Sequence, residues 1–347
     1  MKTVDVIIPT YKPTEKLKKS LTMLAKQTYP VHQIILINTE EKHFSNFFYG
    51  SRFLEQFKNL TVRHISKYEF DHGGTRRLGV SLSNADYFIC MTDDAVPQNT
   101  ELVEQLLVPL ESGDAVLSYA RQCTAKKCSE AERFTRLFNY PKESCLKTKE
   151  DLPNLGIKTY FCSNVCAAYN REVYEQLGGF VRQTIFNEDM LYAAKVIQAG
   201  YGIAYQAEAK VIHQHKYTNS QQLHRNFDLG VSQAKHPEVF ATVSSESEGM
   251  KLVKQTAAHL KEKGKSKQIP GLYITSFYKY LGFWLGKHYK WLPRKLVRKL
   301  SLNSCYWNHE DKENRLEDPS YGYGRSKVED SWNASMKVRK NNSSERK

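Results

Sequence analysis

The chain has no uninterrupted apolar run of about 18 residues, the length from which a membrane-spanning helix is predicted. Residues 1–5 lead directly into a strand-like segment, so the apolar core of a secretory signal is missing. The seven cysteines are odd in number and do not form two paired sets with metal-ligand spacing. These absences predict a cytoplasmic protein with reduced, buried thiols and no spanning helix.

Acidic residues are nearly absent from one segment of the chain. Residues 251–300 contain 13 Lys and Arg but a single acid, Glu262, whereas the formal net charge of the whole 347-residue chain is +14. The basic character is therefore local. A uniformly basic chain would indicate a nucleic-acid partner, whereas this asymmetry indicates a local anchor and no nucleic acid.

Apolar strand patterns alternate with helix patterns through the first part of the chain. The strands are predicted at 4–10, 33–38, 60–65 and 87–91. This order predicts an α/β fold with a Rossmann-like, mostly parallel sheet flanked by helices. In such sheets, ligands bind at the carboxyl ends of the strands. The polar residues at or just after those ends are Thr10, Asn38, Asp71, Asp93 and Asp94.

The rest of the chain is predicted in less detail. Residues 123–155 are expected to be irregular and 160–168 extended, with two short strands at 203–205 and 209–212. We expect three regions: a catalytic domain over 1–218, a helical basic and aromatic segment over 219–303, and a disordered polar tail over 304–347.

Thr92-Asp93-Asp94 is the predicted metal site. Carboxylates at a strand end suit Mg²⁺ or Mn²⁺, and such an ion neutralises the charge of a departing diphosphate. His213 and His215 lie two residues apart at the end of a later strand, so they point to one face, and one of them can complete the metal shell. The alternatives are a solvated turn and a pair of surface histidines.

Asn187-Glu188-Asp189 opens a predicted helix. A carboxylate there can act as the general base that takes a proton from an acceptor hydroxyl. The adjacent carboxylate does not face the same way, so it can orient the substrate or a loop. The alternative is a helix-capping role.

Residues 70–76 (FDHGGTR) form a third motif at a helix start. The glycines permit a close backbone approach, and the helix start attracts anions. Arg76 can grip a base or a phosphate. The two glycines do not belong to a phosphate loop, because no GxxxxGK[ST] pattern occurs in the chain.

The chain resembles family 2 glycosyltransferases of the GT-A fold over residues 3–300. The matching elements are VDVIIPTY (4–11), FDHGGTR (70–76), TDDA (92–95), SNVCAAYNREVYEQLGGF (163–180) and NEDMLYAAKVIQAGY (187–201). FDHGGTR and the pair His213 and His215 are most similar to the bacterial rhamnosyltransferase branch.

The resemblance implies a role for each of these positions. The residues expected to bind the nucleotide sugar are Pro9, Thr10, Asn38, Asp71, Gly74, Arg76, Thr92 and Asp93. The expected ligands of Mg²⁺ or Mn²⁺ are Asp94 with His213 and His215. Asp189, beside Glu188, is expected to be the catalytic base, and Asn164 lies where the acceptor-side loop is expected. Two positions depart from the family pattern: Asn38 replaces a frequent aspartate, and Thr92 replaces the first acid of the metal motif.

The resemblance further implies an inverting transfer by a single in-line displacement. The expected donor is dTDP-β-L-rhamnose, and the expected acceptor is a hydroxyl of a lipid-linked or polysaccharide glycan of the cell surface. One alternative is the same fold with another nucleotide sugar, such as UDP-hexose, UDP-HexNAc or UDP-galactofuranose. Others are a catalytically silent sugar-nucleotide-binding module and a nucleic-acid-binding protein.

Aromatic and basic residues interleave within residues 272–300. On a helix with about 100° per residue, one broad face holds Phe277, Leu281, Trp284, Leu285, His288, Trp291 and Leu292, and the lysines Lys279, Lys287 and Lys290 cluster opposite. This pattern is typical of helices in a membrane interface and predicts peripheral attachment to the cytoplasmic face of the membrane. The alternative is a helix packed on the catalytic domain with a solvated basic face.

Overall fold

The computed structural model of the protein describes residues 1–125, 127–241 and 246–313. Its strands form a nine-stranded sheet within these ranges. In chain order the strands are β1 (Val4–Tyr11), β2 (Gln33–Thr39), β3 (Leu60–Ile65), β4 (Tyr87–Met91), β5 (Val96–Pro97), β6 (Leu117–Cys123), β7 (Cys145–Lys147), β8 (Cys166–Asn170) and β9 (Ile203–Ile212).

Helices cover both faces of this sheet and continue beyond it. They are α1 (Glu15–Leu24), α2 (Glu41–Phe48), α3 (His72–Ser81), α4 (Leu102–Glu111), α5 (Glu130–Asn139), α6 (Leu152–Leu155), α7 (Arg171–Gln176), α8 (Glu188–Gln198), α9 (Asn219–Lys235), α10 (Pro237–Phe240), α11 (Glu246–Glu262), α12 (Ile269–Lys287), α13 (Arg294–Leu300) and α14 (Ser304–Glu313). None of the helices in the described ranges is long and apolar enough to cross a bilayer.

The direction of each strand decides which residues meet. The strand order is β3-β2-β1-β4-β8-β6-β9-β5, and β7 pairs with β9. The first four strands in this order are parallel, whereas β8 is antiparallel to both β4 and β6, and β6 is parallel to β9. The carboxyl ends of β1, β2, β4, β6 and β9 therefore lie at one edge of the sheet, together with the amino end of β8. The α/β class is confirmed, but the sheet is mixed because β5, β7 and β8 run antiparallel to their neighbours.

Side chains of the strands alternate between two cores, one on each face of the sheet. In β1, Val6 belongs to one core and Ile7 to the other. Leu21 of α1 covers the first face, and Ile197 of α8 covers the second. Because both faces are covered, the central strands β2 and β4 contain continuous apolar runs in the sequence. Among the cysteines, which are all free thiols, those at 90, 162 and 166 are buried.

Several expectations about local structure need correction. Residues 123–155 are not irregular, because they contain α5 and β7. α5 is held by a contact distant in sequence, in which the Phe134 ring stacks on His259 of α11 with centroids 4.5 Å apart. Residues 203–212 form one strand with an irregular register against β6. The extended segment expected at 160–168 becomes a strand only at Cys166, and Pro9 lies inside β1 rather than at its end.

The helices that follow the sheet build a small core of their own. Phe227 of α9 packs with Val297 of α13 and with Trp307 of α14, which is fully buried. Asp228 of α9 accepts a hydrogen bond of 2.9 Å from the N–H of Leu302. Residues 304–313 are thus helical, which corrects the expected start of a disordered tail, while residues 314–347 lie outside the described residues.

Glycines allow α9 and α12 to cross in close contact. A Cβ atom added to Gly282 would lie 2.1 Å from the carbonyl oxygen of Leu223, and one added to Gly286 would lie 2.1 Å from that of Phe227. Gly230 on α9 meets α12 in the same way. One face of α12 is therefore pressed against α9, backbone to backbone.

Gly282→Ala should destabilise the protein by about 1–3 kcal/mol, because the added methyl overlaps a backbone carbonyl and forces the two helices apart. Gly271→Ala in the same helix is the matched control. Nothing lies within 4 Å of its added Cβ, so its stability should stay the same or rise slightly. Chemical denaturation measures both variants, and equal free energies of unfolding would contradict the close crossing.

Candidate active site

Thr10 and Asp93 join the carboxyl ends of β1 and β4. The Thr10 hydroxyl donates a hydrogen bond of 2.9 Å to Asp93 Oδ2, and the N–H of Tyr11 lies 3.4 Å from the same oxygen. Burial raises the pKa of Asp93 to about 6. Asp93 thus holds two strand ends together, and its neighbour Asp94 takes a different set of partners.

Asp94, His213 and His215 form a cluster where β4 and β9 end. Asp94 Oδ1 lies 3.4 Å from His213 Nε2, and Oδ2 lies 3.1 Å from His215 Nε2. One ligand atom from each of the three residues lies within 4.8 Å of the others. Burial alone would raise the pKa of Asp94, but both histidines and Lys16 outweigh it and hold this pKa well below its usual range. A carboxylate oxygen with two imidazole nitrogens fits a divalent cation, and both histidines belong to the cluster.

Glu188 and Asp189 begin α8 and have different environments. Arg76 of α3 pairs with Glu188 across 3.0 Å, and both side chains are 7% exposed. The Asn164 side chain donates a 3.0 Å hydrogen bond to Glu188, and the Asn164 backbone N–H donates one of 3.0 Å to Asp189. Burial and the Glu188 carboxylate raise the pKa of Asp189 to about 7. Burial would also raise the pKa of Glu188, but Arg76 outweighs it and lowers that pKa. Asp189 is therefore suited to accept a proton near neutral pH.

Residues 163–165, which precede β8, connect the metal cluster to these acids. Asn164 in this segment binds the carboxylates of α8. The carbonyl oxygen of Val165 accepts a hydrogen bond of 3.2 Å from the N–H of Thr92, two residues before Asp94. The structure thus brings the predicted metal site, the predicted base and the predicted acceptor-side residue to one edge of the sheet.

The FDHGGTR motif has a structural explanation. Asp71 caps α3, because its Oδ1 accepts hydrogen bonds of 2.8 Å from the N–H groups of Gly73 and Gly74. Its Oδ2 accepts one of 2.9 Å from the N–H of Thr184. A Cβ atom on Gly73 would lie 2.0 Å from the carbonyl oxygen of Val181. The glycines therefore admit a neighbouring segment of this chain, and the expected role of Gly74 in binding the nucleotide sugar stays a prediction.

Arg76 and Asn38 are buried among protein groups. Arg76 is 6% exposed and is occupied by Glu188. Asn38 is fully buried, with its Nδ2 2.9 Å from His64 Nδ1. The contacts of these two side chains give no support to a nucleotide-binding role, which stays a prediction.

Arg225 of α9 is a residue that no sequence motif indicated. Its guanidinium carbon lies 4.7 Å from the ring centroid of Phe186 and 5.7 Å from that of Tyr217. Tyr217 in turn stacks on His215 of the metal cluster, with centroids 5.0 Å apart. Arg225 makes no ion pair with any residue that the structure describes. Packing alone places this cation, held by aromatic rings, beside the cluster.

Comparisons with known proteins give the family. Residues 5–178 match the family model "Glycosyl transferase family 2". The O-antigen chain rhamnosyltransferase WbaN of Salmonella anatum is 36% identical over 312 residues, which are 89% of this chain and 97% of that protein. The O-antigen chain rhamnosyltransferase RfbN of Salmonella typhimurium is 36% identical over 308 residues, with coverages of 88% and 96%.

The fold has a counterpart among solved structures. The mannosyltransferase PcManGT from Pyrobaculum calidifontis, in complex with GDP-Man and Mn²⁺, is similar with a TM-score of 0.51 at 14% identity, covering 91% of this chain and 88% of that one. At this identity the likeness concerns the fold alone. From the family model and the two relatives together, the chain belongs to glycosyl transferase family 2 and is a glycosyltransferase.

Proposed function

We propose that this enzyme transfers L-rhamnose from dTDP-β-L-rhamnose to a hydroxyl of a lipid-linked or polysaccharide acceptor in cell-surface glycan synthesis. The choice of sugar rests on the two relatives, which are named as O-antigen chain rhamnosyltransferases. One observation carries the chemistry: a single segment, residues 163–165, is hydrogen-bonded both to the base at Asp189 and to the strand end that carries Asp94.

Asp94, His213 and His215 would hold Mn²⁺ or Mg²⁺. Mg²⁺ strongly prefers oxygen ligands, so a set with two imidazole nitrogens favours Mn²⁺ of the two. When bound, such an ion neutralises the charge that develops on the departing diphosphate. The solved mannosyltransferase with a similar fold contains Mn²⁺ together with GDP-Man, which supports an ion beside a nucleotide sugar here.

Asp189 would take the proton from the acceptor hydroxyl as its oxygen attacks the anomeric carbon. The carboxylate is oriented from both sides, because Oδ2 accepts from the N–H of Asn164 and Oδ1 accepts from its neighbour Met190 at 2.8 Å. Glu188 stays ionised through its pairing with Arg76, and its negative charge helps to raise the pKa of Asp189. A single displacement with inversion needs this one base and no covalent intermediate.

Fixed positive charges would bind the diphosphate of the donor. Arg225 lies next to the metal cluster, is held by two rings and makes no direct ion pair with a residue that the structure describes. Lys16 is a second cation, with its Nζ 3.4 Å from Asp94. The nucleotide would lie at the same sheet edge, over Pro9 and Thr10, because ligands of such sheets bind at the carboxyl ends of the strands.

α12 has an exposed aromatic surface that suits the inner face of the membrane. Tyr273, Phe277, Tyr280 and Trp284 are between 41% and 60% exposed and recur every three or four residues, so they share one face. The opposite, glycine-lined face packs on α9. The surrounding residues 251–300 carry most of the net positive charge. Exposed rings with nearby lysines fit the headgroups of an anionic leaflet, and this supports attachment of the enzyme to the cytoplasmic face of the membrane, beside a lipid-linked acceptor.

Asp189→Asn should lower transfer by at least about 10²-fold, because an amide cannot accept the proton. The donor Kd, measured by calorimetry, should stay close to that of the wild type. Asp114→Asn, at an exposed position on another loop, is the matched control and should be fully active.

The assay offers dTDP-, UDP- and GDP-sugars with Mn²⁺ and follows both transfer and hydrolysis. We expect turnover of dTDP-β-L-rhamnose above all others. If the wild type turned over none of these donors, the proposed activity would be wrong; an active Asp189→Asn variant would overturn only the choice of base.

The rate of transfer should fall as the pH is lowered through about 7, because the raised pKa of Asp189 lies there and only the ionised form is a base. Glu188→Gln should move this fall to lower pH, since the negative charge that helps to raise the pKa is removed. Single-turnover rates of the wild type and of Glu188→Gln, measured across this pH range, test both statements. A fall at the same pH in the wild type and in Glu188→Gln would exclude Asp189 as the titrating group.

The triple variant Phe277→Ser, Tyr280→Ser, Trp284→Ser should lose at least about tenfold in binding to vesicles of phosphatidylethanolamine and phosphatidylglycerol, because each buried ring contributes more than 1 kcal/mol. The control, Tyr49→Ser with Val108→Ser, removes exposed apolar groups on other elements. Flotation measures binding. If the triple variant floats like the wild type, the membrane is not the partner of this surface. The same conclusion follows if the wild type does not float and forms a dimer that the triple variant separates into monomers.

A further inference from the structure

Gln122, near the end of β6, is buried between the metal cluster and the segment that holds the base. Its Oε1 lies 3.0 Å from His213 Nδ1 and accepts a hydrogen bond from Arg136 Nη1. Its Nε2 lies 3.0 Å from Ser163 Oγ and 2.5 Å from the Tyr140 hydroxyl. The side chain is 4% exposed. Both ends of this one amide are therefore in use, each toward a different part of the site.

These contacts determine how the amide is oriented. A guanidinium can only donate hydrogen bonds, so the amide atom that faces Arg136 must be the oxygen. The NH₂ group then faces the two hydroxyls of Ser163 and Tyr140, which can accept. Arg136 also donates to the carbonyl oxygen of His213 at 3.2 Å, so it holds the same strand end by a second contact.

The oriented amide also determines which nitrogen of His213 carries a proton. Because Gln122 presents an oxygen to Nδ1, Nδ1 must carry the hydrogen. In a neutral imidazole, Nε2 then has a free lone pair, and Nε2 is the atom that lies 3.4 Å from Asp94 Oδ1. A lone pair and a carboxylate oxygen repel each other unless a proton or a metal ion lies between them. The hydrogen bond from Nδ1 thus prepares Nε2 as a metal ligand.

The other end of the amide reaches the base. Ser163 directly precedes Asn164, whose backbone N–H and side chain bind Asp189 and Glu188. A displacement of Ser163 would therefore move the group that orients the base. No other side chain in the described part of the site is hydrogen-bonded to both the metal cluster and this segment.

We infer that Gln122 is a positioning residue that fixes the tautomer of His213 for metal binding and, through Ser163, holds the segment that orients Asp189. This inference rests on the proposed metal-dependent transfer. Its two halves are separable, because one uses the amide oxygen and the other uses the amide NH₂ group.

Two substitutions separate the halves. Gln122→Met has a similar length and removes both functions, so Mn²⁺ affinity should fall about 10–100-fold, as it does when outer-shell partners of a ligating histidine are removed. Gln122→Glu keeps an oxygen for His213 and Arg136 but cannot donate to Ser163. It should bind Mn²⁺ as the wild type does and still have a lowered kcat at saturating Mn²⁺.

Mn²⁺ binding is followed by electron paramagnetic resonance of the full chain without donor or acceptor, so the result does not depend on turnover. Gln176→Met, on the exposed side of α7, is the matched control and should change neither quantity. Ser163→Ala is the second test, because it should lower kcat and leave Mn²⁺ affinity unchanged. It keeps the base-side half testable if Gln122→Met does not fold.

The outcomes distinguish this inference from the proposed function. If the wild type binds no Mn²⁺, the proposed metal site fails. If the wild type binds Mn²⁺ and folded Gln122→Met binds it equally well, only the histidine half of the inference fails. If Gln122→Glu and Ser163→Ala both kept the kcat of the wild type, the inference that Gln122 orients Asp189 through Ser163 would be wrong.

Discussion

The site depends on one constraint of the sheet, the reversed direction of β8. Its neighbours β4 and β6 run the other way, so the amino end of β8 lies where their carboxyl ends lie. The segment before β8, residues 163–165, is thereby inserted between the metal cluster on one side and the start of α8 on the other. A parallel β8 would carry this segment to the opposite edge, away from both Asp94 and Asp189.

Burial of charge at the start of α8 is the second feature on which the chemistry rests. Two adjacent carboxylates in a buried site cannot both ionise freely, because like charges and desolvation each disfavour the second one. Arg76 resolves this conflict by pairing with Glu188, which stays charged, while the pKa of Asp189 rises to about 7. The ion pair thus divides the two acids into one that remains ionised and one that can exchange a proton near neutral pH.

Much of this arrangement could be predicted from local pattern. The hydrophobic pattern and the turn residues of the sequence predict β1, β2 and β4 with polar residues at their ends. This prediction put Thr10 and Asp94 at one edge of the sheet, as the strand pairing does. The helix α5, expected to be irregular, does have a local signal: Ser129 precedes it and caps it by accepting a hydrogen bond from the N–H of Glu132, three residues on. Only its packing partner in α11 is far along the chain. Arg225 and Gln122 have no such local signal. Neither belongs to a motif, and only packing and hydrogen bonding bring them to the cluster.

The motif residues also show what a pattern cannot decide. Asp71, Gly73 and Arg76 stand in a segment whose composition suits an anion, yet their partners are Thr184, Val181 and Glu188 of the same chain. A helix cap, a close backbone contact and a buried ion pair use the same residue types as a phosphate site. Only the tertiary partners distinguish the two.

The central claim is that one ion-bound donor lies between the cluster at 94, 213 and 215 and the base at 189. A crystal structure of the enzyme with Mn²⁺ and dTDP, with the anomalous signal of manganese recorded, tests it most directly. We predict an anomalous peak bonded to Asp94 and to at least one of the two histidines, with diphosphate oxygens completing its coordination and the Asp189 carboxylate facing the same cleft. A peak elsewhere, or a cleft that leaves Asp189 on the far side of the bound nucleotide, would contradict it.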